Sequence, residues 1–176
     1  MIRSAVIATM LLATAPMARG QGTVSLLEYK TVLPAGWSSR APSSSMRLAE
    51  FVAGAPTAGA VGAEVIVYFF GPGQGGPVDA NLARWKGQFS NPAGGPVSEV
   101  VTHEKTAFPL TVAEYRGTYA RGIGMGSAPE AARPNHVLVA VVAETPKGAI
   151  FFQLFGPAAA VEAQRSAYLK FVRGLK

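Results

Sequence analysis

Residues 64–70 read EVIVYFF, Glu64-Val65-Ile66-Val67-Tyr68-Phe69-Phe70, and are apolar on both alternating faces. A strand with one wet face alternates apolar and polar side chains, whereas a strand without that alternation is covered on both sides. This stretch therefore predicts an interior strand of a sheet with a layer on each face. Gly71 to Gly76 (GPGQGG) stops it. Pro77 then suits the first turn of a helix, where its missing N–H costs nothing. Val78, Leu82, Trp85 and Phe89 follow at spacings of four, three and four, which is one helical face. Asn91-Pro92 and Gly94-Gly95-Pro96 end that helix.

Toward the amino end, Gly54 to Gly62 reads as a small-residue turn, Met46 to Ala53 as a strand and Ser38 to Ser45 as a loop. Thr23 to Leu33 reads as a first strand running into Pro34-Ala35-Gly36-Trp37. Toward the carboxyl end, Val97 to Thr106 and Leu110 to Tyr119 form a hairpin that meets at Phe108-Pro109. Ala120 to Asn135 is a Gly/Ala/Pro loop. Val137 to Glu144 and Ala149 to Phe155 flank Thr145-Pro146-Lys147-Gly148, whose proline and glycine are type I turn chemistry, a second hairpin. Gly156-Pro157 opens a last helix with Val161, Tyr168, Phe171, Val172 and Leu175 on one face. The order is βββ-α-ββββ-α. Hairpin strands with helices set between them are the α+β class: an antiparallel sheet of about six to seven strands with helices packed on both faces.

A chain of 176 residues fits one domain. With 49% apolar and 15% charged residues, it has ample side chains to bury and does not resemble a disordered chain. Twenty glycines and thirteen prolines imply many turns, but no Gly-X-Y period supports collagen. Cysteine is absent, which excludes disulfides, thiolate metal sites and a cysteine nucleophile. The net charge of +6 is scattered, thickening only at Arg165, Lys170, Arg173 and Lys176, where cations suit a helix C-terminus. No run of five like charges and no basic stripe with interleaved aromatics occurs, so no nucleic-acid partner is expected.

Residues 1–20 have the composition of an export signal. Arg3 supplies a positive start, Ser4 to Ala15 an apolar stretch, and Ala18-Arg19-Gly20 a small-x-small cleavage site. The apolar stretch is about 12 residues, too short for a hydrocarbon core that needs about 20. Cleavage after Gly20 leaves one globular α+β domain over residues 21–176, with no transmembrane segment. The expected location is periplasmic or secreted.

The Pro34-x-Gly36-Trp37 step and the order of elements resemble the PsbP-like α/β/α sandwich, the fold shared by PsbP, Mog and LpqN. The stretches PSSSMRLAEF (42–51), GGPVDANLARWKGQF (75–89) and GTY (117–119) resemble a group of uncharacterised secreted bacterial proteins. The resemblance implies a non-catalytic binding or assembly module. Photosystem and Ran roles do not transfer, because no matching functional residues can be pointed to.

The chemistry-bearing motifs are sparse. Gly71-x-Gly73-x-x-Gly76 matches a dinucleotide fingerprint between a strand and a helix. Pro72 and Pro77 delete two N–H groups from such a cradle, and hairpin-joined strands lack the parallel βαβ unit, so a connecting loop is the better reading. Ser43, Ser44, Ser45 and Ser127 lie outside any nucleophile motif, and a triad would have to recruit His103 or His136 with Asp79 or a glutamate. Paired carboxylates could be drawn from Glu50, Glu64, Glu99, Glu104, Glu114 and Glu144, although glutamates alternating along strands more often form a wet face. His103 with Glu104 falls short of a metal set. No catalytic, metal or cofactor site is expected.

Asn81, Arg84 and Gln88, three and four apart, share a stripe beside the apolar face of the first helix. Together with Gly73 and Gln74 of the preceding loop they form the expected ligand surface, which Tyr119 and Arg121 would extend. Both Gly/Pro loops, Gly71 to Pro77 and Ala120 to Asn135, are expected to be exposed and mobile. The expected function is an exported, non-enzymatic binding or assembly module of the cell envelope, its partner an envelope protein or a small ligand. The alternatives are an envelope-acting hydrolase using carboxylates or Ser/His, marked by convergence of those groups in one concave site, and a subunit of an envelope complex, marked by a large apolar patch.

Overall fold

The computed structural model describes residues 22–54, 61–120 and 131–176. In chain order the elements are β1 (Thr23–Leu26), β2 (Tyr29–Val32), β3 (Ser38–Arg40), β4 (Arg47–Ala53), β5 (Ala63–Phe69), α1 (Val78–Lys86), β6 (Phe89–Ser90), β7 (Ser98–Lys105), β8 (Pro109–Tyr119), β9 (Arg133–Thr145), β10 (Gly148–Pro157) and α2 (Ala158–Arg173). Eight strands form one sheet in the order β3-β4-β5-β10-β9-β8-β6, and β7 also pairs with β8. Every pairing is antiparallel.

The sheet is covered on both faces. In β9, Val137, Val139, Val141 and Ala143 join the core beneath α2, while Leu138, Ala140 and Val142 join a second core with Trp85 of α1. β5 lies between β4 and β10, an interior strand as its two apolar faces predict. The α2 face read from periodicity (Val161, Tyr168, Phe171, Val172 and Leu175) is buried throughout. Trp85 meets Phe151 edge-on at 6.4 Å, and the Tyr115 hydroxyl donates to the Leu82 carbonyl at 3.1 Å, which ties α1 to β8. β7 lies almost wholly exposed along its length. Its ends are pinned by Lys86–Glu99 (2.6 Å) and by Arg173, which donates to both Glu104 oxygens at 2.7 and 2.8 Å.

Four segment readings change. Thr23 to Leu33 is two strands, because the chain reverses at Leu27 (φ 58°) and Leu26 pairs with Tyr29. The resulting β1–β2 ribbon stands apart from the main sheet. The Ser38 to Ser45 loop begins with β3, which pairs along β4. Phe89 leaves the helix for β6, opposite Tyr119. β9 starts at Arg133, inside the stretch read as loop. The export signal, much of the Gly54 to Gly62 turn, Arg121 and Ser127 lie outside the described residues.

Candidate functional site

α1 is nine residues long and packs through Trp85, so part of the sheet face on its side stays uncovered. Sheet register assembles what is displayed there. Arg47 pairs with Tyr68, Tyr68 with Phe151, Glu50 with Ile66, Ile66 with Gln153, and Glu64 with Phe155. Residues at paired positions point to the same face. Arg47, Glu64, Tyr68, Gln153 and Phe155, with Gln88, Tyr119 and Arg133, line a concavity of about 250 Å³ floored by Ile66 and Leu138. A depression of about 310 Å³ shares Glu64, Arg133 and Phe155 and continues past His136, so the two form one groove. Phe155 is its aromatic hub, 4.5 Å from the Tyr119 ring and 5.4 Å from the His136 ring between centroids.

A charge cluster supports one wall. Glu50 is 1% exposed, and its carboxylate accepts from the Ser43 N–H (2.6 Å), the Ser43 hydroxyl (2.8 Å), Arg47 (2.8 Å) and Arg40 (2.7 Å). Burial alone would push its pKa up. The bonds from Ser43, Arg47 and Arg40 outweigh it and hold the group at about 2. Arg40 also bonds Glu64, so Arg47, Glu50, Arg40 and Glu64 form one self-neutralised chain. By contrast, the side-chain amides of Gln88 and Gln153 line the groove and make no hydrogen bond within the described protein.

The residues expected to form the ligand surface are distributed unequally. Gln88 lies in the groove together with Tyr119, brought there by the Ala120 N–H, which donates to the Gln88 carbonyl at 2.8 Å. Gly73, Gln74, Asn81 and Arg84 are not among the residues lining it. Asn81 is 2% exposed, and its amide donates to the Gly75 and Pro77 carbonyls at 2.8 and 2.9 Å while its oxygen accepts from Arg84 at 2.5 Å. It fastens the glycine loop to α1. Gly75 lies close against the sheet, since a Cβ there (φ +93°) would meet the Phe151 ring at 2.6 Å. Gly73 and Gln74 remain at the loop's exposed turn.

Among the other candidates, Glu99, Glu104 and Glu114 pair with Lys86, Arg173 and Arg165. His103 Nδ1 lies 3.2 Å from the Thr111 hydroxyl, and Glu64 and His136 share the second depression. Arg47, Tyr68, Gln153 and Phe155 escaped the sequence reading as a site, and Glu64 entered it only as one of the candidate paired carboxylates. The available signal was a polar side chain set inside an apolar interior strand: Gln153 in IFFQLF, and Glu64 at the head of EVIVYFF.

Fold and groove together define an α+β sandwich, one antiparallel sheet between two helices with a polar groove on one face. The solution structure of cyanobacterial PsbP (CyanoP) from Synechocystis sp. PCC 6803 is similar to it, with a TM-score of 0.55 at 12% identity, covering 94% of this chain and 98% of that one. The fold is PsbP-like. No protein-family model matches the chain, and no curated protein matches its sequence.

Proposed function

We propose that the protein is an exported, non-enzymatic binding or assembly module of the cell envelope whose ligand surface is this groove. The observation that carries the reading is the contrast within the groove wall. Arg40, Arg47, Glu50 and Glu64 are spent on one another, while the side-chain amides of Gln88 and Gln153 are presented beside the rings of Tyr68, Tyr119 and Phe155. Amides donate and accept at once, and aromatic faces stack, so such a surface suits an uncharged, hydrogen-bonding ligand more than a reacting one. Glu50 is ionised with its acceptor sites filled, which removes it as a proton donor at neutral pH. Export is supported by the composition of residues 1–20.

A second reading has one observation of its own. Glu64 and His136 line the same depression, so an envelope-acting hydrolase could use them as acid and base. Among the described residues no serine lines that depression, and Arg40 holds Glu64.

One experiment separates the two. The natively produced protein, whose amino terminus should read Gln21, is titrated with a soluble digest of envelope glycan and peptide. Binding without product release, lost in Tyr68→Ala/Gln153→Ala and kept in Glu64→Gln/His136→Ala, is the expected result. Product release abolished by the second variant would establish the hydrolase instead.

A further inference from the structure

A larger cleft, about 740 Å³, opens between the β1–β2 ribbon and the end of α2, away from the polar groove. Its walls are held in place. The Thr31 hydroxyl donates to the Phe171 carbonyl at 2.5 Å, and Lys30 and Lys176 exchange backbone hydrogen bonds at 2.8 and 3.1 Å. The volume falls within the roughly 300–1,000 Å³ of small-molecule sites. Val32, Pro34, Ala35 and Ala167 contribute apolar surface, and Val32 is 51% exposed, unusual for a valine on an ordered strand.

The charged side chains described in the lining are all lysines. Lys30, Lys170 and Lys176 line the cleft, and among the described residues none of them is in an ion pair and no Asp or Glu side chain joins the lining. Elsewhere Arg40, Arg47, Lys86, Arg116, Arg165 and Arg173 are each paired with a glutamate. The Lys170, Phe171 and Val172 carbonyls at the α2 end already accept from Gly174, Thr31 and Leu175, and the lysine charges outweigh the roughly half unit of negative charge at the helix end. A carboxylate at Lys176 would offset one of the three charges and leave two. Lysine stems also lie comfortably along apolar surface with their ammonium groups at its rim.

We propose that this cleft binds a single-chain amphiphile with an anionic head, of the long-chain carboxylate class. The hydrocarbon chain lies along Val32, Pro34 and Ala167, and the carboxylate sits among Lys30, Lys170 and Lys176. The charge complementarity picks the head, and the apolar wall picks the tail.

The test is calorimetric titration of the protein with laurate, dodecyl maltoside and dodecyltrimethylammonium, each below its micelle concentration. Laurate should bind saturably, about tenfold or more tighter than the other two, and should weaken as salt is raised. Lys30→Gln/Lys170→Gln/Lys176→Gln should lose about tenfold in laurate affinity. These side chains are exposed and unpaired, so its melting temperature should stay near that of the parent. Should that variant fail to fold, Lys170→Glu alone makes the same comparison. The polar-groove variant Tyr68→Ala/Gln153→Ala should bind laurate as the parent does. The proposal is overturned by absent laurate saturation, by equal affinity for all three head groups, by unchanged affinity in the lysine variants, or by loss of laurate in the polar-groove variant. Association only with phosphatidylglycerol vesicles, and not with monomeric laurate, overturns it in favour of a membrane-surface role.

Discussion

Glu50 occupies a strand position opposite Ile66, where alternation would permit a glutamate to face water, yet it is buried under four donors. Its carboxyl titrates near 2 when folded, below the ordinary 4.5. Because the folded value is the lower one, this group's contribution to stability is fully present above about 4.5 and is lost as pH falls toward 2. Denaturant melts at intervals across that range should show the loss. Glu50→Gln should flatten the acid limb and destabilise the protein at neutral pH by about 1–3 kcal/mol, since Arg40 and Arg47 lose a charged acceptor. Asn81 carries the same lesson in the opposite direction. Its place on a stripe beside an apolar face suggests display, but its amide is consumed by the carbonyls of the turn before it. Sequence spacing gives the side of the helix, and cannot say whether a backbone turn folds over that side.

At the scale of elements, legibility followed the strength of local pattern. The α2 face and β5 were readable because burial imposes periodicity on many residues at once. The reversal at Leu27-Glu28 was not, because it uses no glycine, asparagine or proline and so carries no turn signal. β3 and β6 are three and two residues long, too short to impose a pattern. As a ligand surface the groove was legible only at Gln88 and Tyr119, with Glu64 and His136 named solely as hydrolase candidates. Its other residues sit on β4, β5, β9 and β10, which become neighbours through pairings that no local stretch encodes. α1 rests on a narrower base than α2, since Trp85 is its main buried apolar anchor. Trp85→Ala should cost about 3–5 kcal/mol, a large share of the stability of a domain of this size. Chemical denaturation measures it, and parent-like stability would mean that α1 docks through its loop instead.

The whole molecule closes most of its sheet but leaves β7 exposed, with Val100 and Val101 at 55% and 38% of full exposure. Such an edge can recruit the same edge of another molecule. If two copies met antiparallel about the middle of SEVVTHEK, Glu99 of each would stand opposite Glu104 of the other, and like charges directly opposed disfavour the pair. Lys86 and Arg173 hold those glutamates on the margin, so a second edge could pair there only by desolvating or breaking their ion pairs as well. Glu99→Gln/Glu104→Gln should remain folded yet self-associate at concentrations where the parent is monodisperse by light scattering. In that sense the pinned glutamates are a guard against edge-to-edge pairing of two copies, set in side chains that the binding surfaces never touch.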